Sequence, residues 1–326
     1  MGAVDTTKAR ARSARTVQAE TERAAARRAA DMRRLITEGL AAVRAQVTDA
    51  VVDDAYPDLA SVVDAIDWTV LLPMTKAAES DFIDEVILDT MAAGADTARF
   101  AVGLDLTDPF VIAHARRLAG NLVSAVAATS RTAIRTAVTR SVSAELTRPQ
   151  LRALVRDVVG LTPRQARAVT NYTLSLHRLA AGDTTRAAIE SRFTLTPRLP
   201  AEPTRDQIRR LTDAYAQRQL RWRARNIERT ELIRASNAGR VAGWEQAVRD
   251  GLIPATSKKV WVTVPDERRC DRCAPMDGQT ISLIGGEFRS EVRALPGQDP
   301  TPIVPVLAAY PPIHPSCRCT VDVVPA

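Results

Sequence analysis

Cys270-Asp271-Arg272-Cys273 and, after a long gap, His314-Pro315-Ser316-Cys317-Arg318-Cys319 decide how the end of this chain folds. The two groups hold all four cysteines of the 326-residue chain and one of its three histidines. C-x2-C followed by H-x2-C-x-C has the ligand types and local spacings of a zinc site. A C-x2-C turn lets two thiolates converge on one ion at about 2.3 Å. Cys270, Cys273, His314, Cys317 and Cys319 are five candidates for four tetrahedral positions. Cys270 and Cys273 are the firmest, His314 and Cys317 complete the set, and Cys319 is the alternative to either of these two. Cys317 and Cys319 lie two apart, so an extended strand presents both on one side. Cysteine dominates and the supply exceeds four, which favours a closed structural zinc over a catalytic one, which keeps an open position. Asp266, Glu267 and Asp277 read as turn and surface residues. The competing readings are two disulfides or free thiols. The stretch Met1 to Arg15 is polar and basic and lacks an apolar signal segment, which argues against an oxidising compartment.

The surroundings of these groups are β-rich. Val260 to Val264 reads as a strand, Asp277-Gly278 as a turn, Gln279 to Leu283 as a second strand and Arg318 to Val324 as a third. Residues 284–312, with Gly285, Gly286, Gly297 and six prolines, are expected to form a long irregular loop. Upstream, Thr204 and Gln207 form a capping box for one long helix that runs to Asp250, with Gly251 as its stop. Glu231 and Arg234 can pair on one face of it. Gly239 and Gly243 are expected to mark close packing against another element, with the zinc lobe as the candidate.

The rest of the chain reads as helices. Residues 8–48 are expected to form one helix whose apolar side starts only at Met32, with the first twenty residues exposed. Tyr56-Pro57-Asp58 is a break, followed by helices over 59–72 and 75–103, the latter with a stripe of Phe82, Val86, Ile87 and Met91. Asp108-Pro109 opens a helix that continues to about Leu146. Thr147 starts another, Gly160-Leu161-Thr162-Pro163 separates it from a helix over 163–181, and 193–203 is a proline-bearing linker. His114 and His177 fall inside helices and carry no catalytic signal. The expected fold is mainly α: a multi-helix N-terminal and middle part with a small C-terminal α+β, zinc-stapled lobe. The domain reading is 1–108, with a basic arm and an acidic segment; 109–203, arginine-rich; and 204–326, with the zinc lobe.

Charge is blocked along the chain. The net charge is +7, but residues 8–34 carry +6, 49–108 carry −12 and 109–249 carry +15. Such blocks either neutralise one another within the fold or bind oppositely charged partners, nucleic acid among them. Trp222 stands among Arg218, Arg221, Arg223 and Arg225. Its preferred reading is a core or cation–π residue, and stacking on a base is the alternative. No uncharged apolar run is long enough, at about 18 residues, to span a membrane.

Three segments in order resemble the phage head morphogenesis proteins, the Mu F-like minor capsid proteins of tailed phages. They are Arg229-Thr230-Glu231 with Arg234-Ala235 and Asn237-Ala238-Gly239-Arg240; Trp261 with Asp266, Arg268, Cys270, Cys273 and Asp277-Gly278; and Pro311-Pro312-Ile313-His314-Pro315-Ser316-Cys317-Arg318-Cys319. The resemblance covers about residues 205–326. It implies a non-enzymatic head protein in few copies, associated with the portal protein and other capsid components during procapsid assembly. It also implies non-specific contact with packaged DNA, and residence in the host cytoplasm and then in the virion. Some relatives carry fused toxin or enzyme domains, which are not expected here because the chain ends just past its last strand. A zinc-dependent enzyme acting on nucleic acid or protein is the alternative.

Overall fold

The computed structural model describes residues 4–48, 62–74, 83–98, 103–142, 147–182, 202–264, 266–267, 269, 271–291 and 305–324. The break at Tyr56-Pro57-Asp58, Phe82, most of the linker 193–203 and Cys270 lie outside them. The protein is mainly helical, with short antiparallel strands confined to the C-terminal part. Its helices are α1 (Val4–Ala26), α2 (Ala29–Ala45), α3 (Val62–Ala65), α4 (Ile83–Asp96), α5 (Pro109–Val142), α6 (Arg148–Val158), α7 (Pro163–Ala180) and α8 (Arg205–Arg249).

The capping signals act as read. The Asp108 carboxylate accepts the Phe110 N–H at 2.8 Å ahead of α5. Gln150 Oε1 accepts the Thr147 N–H at 2.7 Å ahead of α6. Thr204 and Gln207 cap α8 reciprocally, at 2.8 and 3.3 Å. Gly251 ends that helix with φ 71, a left-handed conformation that costs glycine nothing.

Three helix expectations fail, the helix expected over 75–103 by ending at Asp96. The single helix over 8–48 is two helices, and the chain turns at Arg27 and Arg28, where Arg28 reaches Asp89 at 2.7 Å. Nor is α1 faceless: Ala14, Val17, Thr21, Ala24 and Ala25 are buried. These side chains are small, so the face is flat and only weakly apolar, and a hydropathy pattern misses it. Among the described residues of the helix expected over 59–72, only α3 is α-helical, and a 3-10 turn, Trp68–Met74, follows it. Here the Asp67 carboxylate takes the backbone N–H and hydroxyl of Thr69, at 2.8 and 2.5 Å. That local bond offers the backbone an alternative to the α-helix.

The strands are β1 (Lys258–Val262), β2 (Thr280–Ser282), β3 (Phe288–Glu291), β4 (Pro305–Ala308) and β5 (Thr320–Val324). One antiparallel sheet has the order β2-β1-β5, with Trp261 opposite Val321 and Lys259 opposite Val323. Strand β1 starts two residues earlier than expected because its buried face includes Lys259, a residue that sequence patterning counts as polar. The stretch 284–312 is not irregular throughout. β3 and β4 pair antiparallel, with Phe288 opposite Ala308. Phe288 and Ser290 turn inward while Arg289 faces out, a period of two too short and too polar to be legible beforehand.

The chain forms two compact units. One comprises residues 1–33, 79–119 and 226–326, and the other 34–78 and 120–225. In the first, α1 packs on α4 and β5. Helices α4 and α8 meet backbone to backbone: a Cβ on Gly239 would stand 1.8 Å from the Met91 carbonyl oxygen, and one on Gly94 2.2 Å from that of Ser236. The partner of Gly239 is therefore α4, not the zinc lobe. Trp244, Trp261, Met276, Leu283, Phe288, Val321 and Val323 form the core under the sheet, and Trp261 meets Phe288 edge-on at 5.2 Å between ring centroids.

The second unit is all helical among its described residues. Its centre holds Arg223, whose guanidinium donates to the Gly160 carbonyl, to Ser130 Oγ at 3.3 Å and to Thr129 Oγ1 at 2.6 Å. Arg44 pairs with Asp157 at 2.9 Å and Asp213 at 2.8 Å. Part of the basic block is thus spent inside the fold. Trp222 is not a core residue: it is 60% exposed. Helix periodicity accounts for this, since the adjacent Arg223 and Ala224 take the inward face.

Candidate metal centre

The sulfur atoms of Cys273, Cys317 and Cys319 lie within 4.8 Å of one another, and all three residues are buried. Cys273 Sγ is 3.7 Å from Cys317 Sγ and 3.1 Å from His314 Nε2. Thiolates about 2.3 Å from a shared tetrahedral ion stand about 3.8 Å apart, so the first distance already has the length of a tetrahedron edge. Of the five candidates, three cysteines are brought together in this way, and a fourth, His314, lies beside Cys273. The fifth, Cys270, lies outside the described residues.

Local backbone chemistry sets up the cluster. The Cys317 N–H closes a turn on the His314 carbonyl at 3.3 Å, and Ser316 occupies the left-handed region at φ 60. Two residues later the Cys319 N–H points at Cys317 Sγ, at 3.5 Å. His314 Nδ1 lies 2.9 Å from the Pro315 carbonyl. A carbonyl only accepts, so Nδ1 carries the proton and Nε2 keeps its lone pair toward the sulfurs, the arrangement a metal-binding imidazole requires.

Helix α8 supplies the support. Asn237 is fully buried. Its amide donates to the Pro311 and Cys319 carbonyls at 3.3 and 3.4 Å, and its oxygen accepts from Thr320 Oγ1 at 2.8 Å and the Val321 N–H at 3.2 Å. One side chain thus fixes both ends of the cysteine-bearing segment. Thr230 accepts the Ser316 N–H at 3.1 Å, and Asn226 accepts the Ser316 hydroxyl at 3.0 Å. Thr21 of α1 meets Thr320 at 3.1 Å. These partners were not singled out from sequence. Their signal was a set of polar residues at 226, 230 and 237, one face of a helix that is otherwise being buried.

The electrostatics call for a cation. Cys317 is driven far below the ordinary thiol range by donation from Cys273, then from Cys319. Cys273 is driven far up because it must donate to Cys317. Cys319 also rises: donation to Cys317 and burial outweigh its own bond from Cys273. Buried thiols this close oppose one another's ionisation, and a divalent ion would relieve that opposition. The donor set, its spacing and the amide directed at Cys317 sulfur fit a thiolate-rich metal site, and three close buried cysteines can hold a metal ion.

The carboxylates nearby have other partners. Asp266 is gripped by both terminal nitrogens of Arg318, at 2.7 and 2.5 Å. Asp277 accepts the Thr263 N–H at 3.0 Å, and Glu267 is exposed. The hollow beside the cluster measures about 30 Å³, which suits an ion or a water rather than a substrate.

The fold and the cluster define a helical protein whose C-terminal α+β lobe carries a buried group of thiols that can hold a metal ion. Residues 202–322 match the family model of phage Mu protein F like protein. That stretch is similar to the Mu F-like proteins, and it contains the cysteine cluster, its supporting helix and most of the three-stranded sheet. No curated protein and no solved structure matches the chain. No helix among the described residues is long and apolar enough to cross a membrane.

Proposed function

We propose that the protein is a minor component of the phage head that acts without enzymatic activity of its own in procapsid assembly at the portal vertex. In this reading 204–326 is the head morphogenesis domain, 109–203 an arginine-rich helical part and 1–108 an N-terminal helical part. The protein works in the host cytoplasm and then resides inside the head. Its metal is one structural zinc, bound by four of Cys270, Cys273, His314, Cys317 and Cys319.

The observation that carries the reading is the coincidence of the family match with the buried thiol cluster. The ion would hold the segment 314–319 against 273 in a lobe with a small core, a staple that replaces missing apolar burial. Non-specific DNA contact is the second part of the proposal. It is supported by exposed Arg218, Arg221, Trp222 and Arg225, which follow the helix period along one side of α8. The engagement of Asp266 and Asp277 by structural partners favours the non-enzymatic role.

Co-expression with the portal protein tests the proposal. The expected outcome is a portal-bound chain carrying about one zinc ion, with DNA binding that weakens steeply with salt and ignores sequence. A folded, zinc-loaded chain that neither binds portal rings nor enters heads would overturn it. So would a hydrolytic activity abolished by Asp266→Asn, Glu267→Gln and Asp277→Asn while zinc and fold persist.

A further inference from the structure

The first compact unit contains a cavity of about 420 Å³ that shares no lining residue with the cysteine cluster. Its walls come from the start of α5, from α8, from β1, from the turn 285–287 and from Tyr310. The size is that of small-molecule sites. Much of the lining is apolar, with Val111, Ala238, Val241 and Ala242, and Phe110, 83% exposed, completes it.

The polar groups in this lining are mostly donors. Lys259 is 1% exposed, yet among the described residues its ammonium has neither a hydrogen bond nor an ion pair. The charges of Glu245 and Glu287 reach it without a direct contact, so its N–H groups remain able to take an acceptor. Tyr310 is the second donor. Arg117 lies 2.5 Å from His114 Nδ1, and His114 Nε2 lies 2.6 Å from the Tyr310 hydroxyl. A guanidinium only donates, so Nδ1 accepts and Nε2 carries the proton. Burial, aided by the charge of Arg117, holds the imidazole neutral by lowering its pKa. Nε2–H therefore donates to the Tyr310 oxygen and leaves the phenolic O–H free to donate. Burial also keeps Tyr310 protonated, with its pKa pushed up to about 12.

None of the acidic residues of the lining bonds Lys259 or Tyr310 directly. Asp108 is held by Arg249 at 3.1 Å. Glu287 is exposed. Glu245 is half-buried, and burial raises its pKa against the lowering by Lys259 and Arg249.

We propose that this cavity binds an oxyanion, carboxylate or phosphate, borne on a small apolar molecule, with Lys259 and Tyr310 as its donors. Neither the metal lobe nor the assembly role calls for such a site.

Benzoate and inorganic phosphate serve as probes in calorimetric titrations of the full-length, zinc-loaded protein. At least one is expected to bind saturably. Preference for benzoate identifies a carboxylate on an apolar body, and preference for phosphate a phosphate ester. Lys259→Met is expected to weaken binding about tenfold or more, and Tyr310→Phe several-fold. Lys258→Met, a change at the exposed neighbour, should leave it unchanged. Lys259→Met removes a buried charge without an ion pair, so its melting temperature should not fall. If it fails to fold, Tyr310→Phe alone carries the test. Absence of saturable binding by either probe, or variants of Lys259 and Tyr310 that bind like the parent, would overturn the proposal.

Discussion

Each compact unit has a charged group at its centre, and the two are satisfied in opposite ways. In the all-helical unit the group is the Arg223 cation. A carbonyl and two hydroxyls from the protein itself surround it, so the fold is complete without help. In the unit with the strands the groups are three buried thiols close enough to hold a metal ion. The comparison teaches that the helical unit satisfies its buried charge with groups already in the chain, whereas the cluster at 273–319 is arranged so that a bound ion could complete it.

The largest expected effect breaks the lobe alone. Cys317→Ser, or removal of the metal by a strong chelator, should abolish zinc binding and melt the sheet around Trp261. Structural zinc contributes apparent binding energies of about 10 kcal/mol or more, so tryptophan fluorescence and metal analysis will register the loss. The helical unit should keep its helicity by circular dichroism. If both units unfold together, their independence in stability is refuted.

Arg223→Met addresses the other side of the comparison. It leaves the Gly160 carbonyl and two hydroxyls without their donor, at a cost of about 3 kcal/mol. A lower melting temperature with unchanged zinc content is the expected result.

A smaller effect comes from Gly239→Ala. The added methyl group meets the Met91 carbonyl, so α4 must shift, at about 2 kcal/mol. Urea denaturation measures it, and an unchanged midpoint would mean that the two helices do not approach as described.

The last prediction concerns pH. Burial raises the Asp157 carboxyl to about 7, outweighing the lowering by Arg44. Between about pH 4 and 7 the folded chain holds a proton that the unfolded chain has released, so this group's contribution to stability falls as pH rises, by at most about 1.4 kcal/mol per pH unit. Asp157→Asn should flatten the slope in that window. A slope unchanged by the substitution would show that the Arg44 pair keeps the carboxylate charged throughout.

Much of the helical framework was legible because caps and breaks are local. Thr147, Thr162 and Thr204, each with a glutamine three residues on, act through hydrogen bonds within one turn. The small-residue face of α1 and the pairing of β3 with β4 were not legible, since neither has a strong apolar period. Asn237 stood out only as a polar position of α8, and which groups it binds was not legible, because its four partners are far away along the chain. Trp222 was misjudged for the same reason: the choice between inward and outward belongs to the packing, not to the residue type.

By itself the sequence determined several helix caps, the mainly α class, the thiol-rich set of candidate ligands and the resemblance that a family match now supports over 202–322. These depend on residue type and short spacing, which the chain carries without folding. Only the tertiary structure decided that Cys319 sits in the cluster with Cys273, that Gly239 lies against α4, and that Lys259 is buried beside a cavity. Each of these depends on residues distant in sequence meeting at van der Waals or hydrogen-bond distance, and a linear pattern does not encode such meetings.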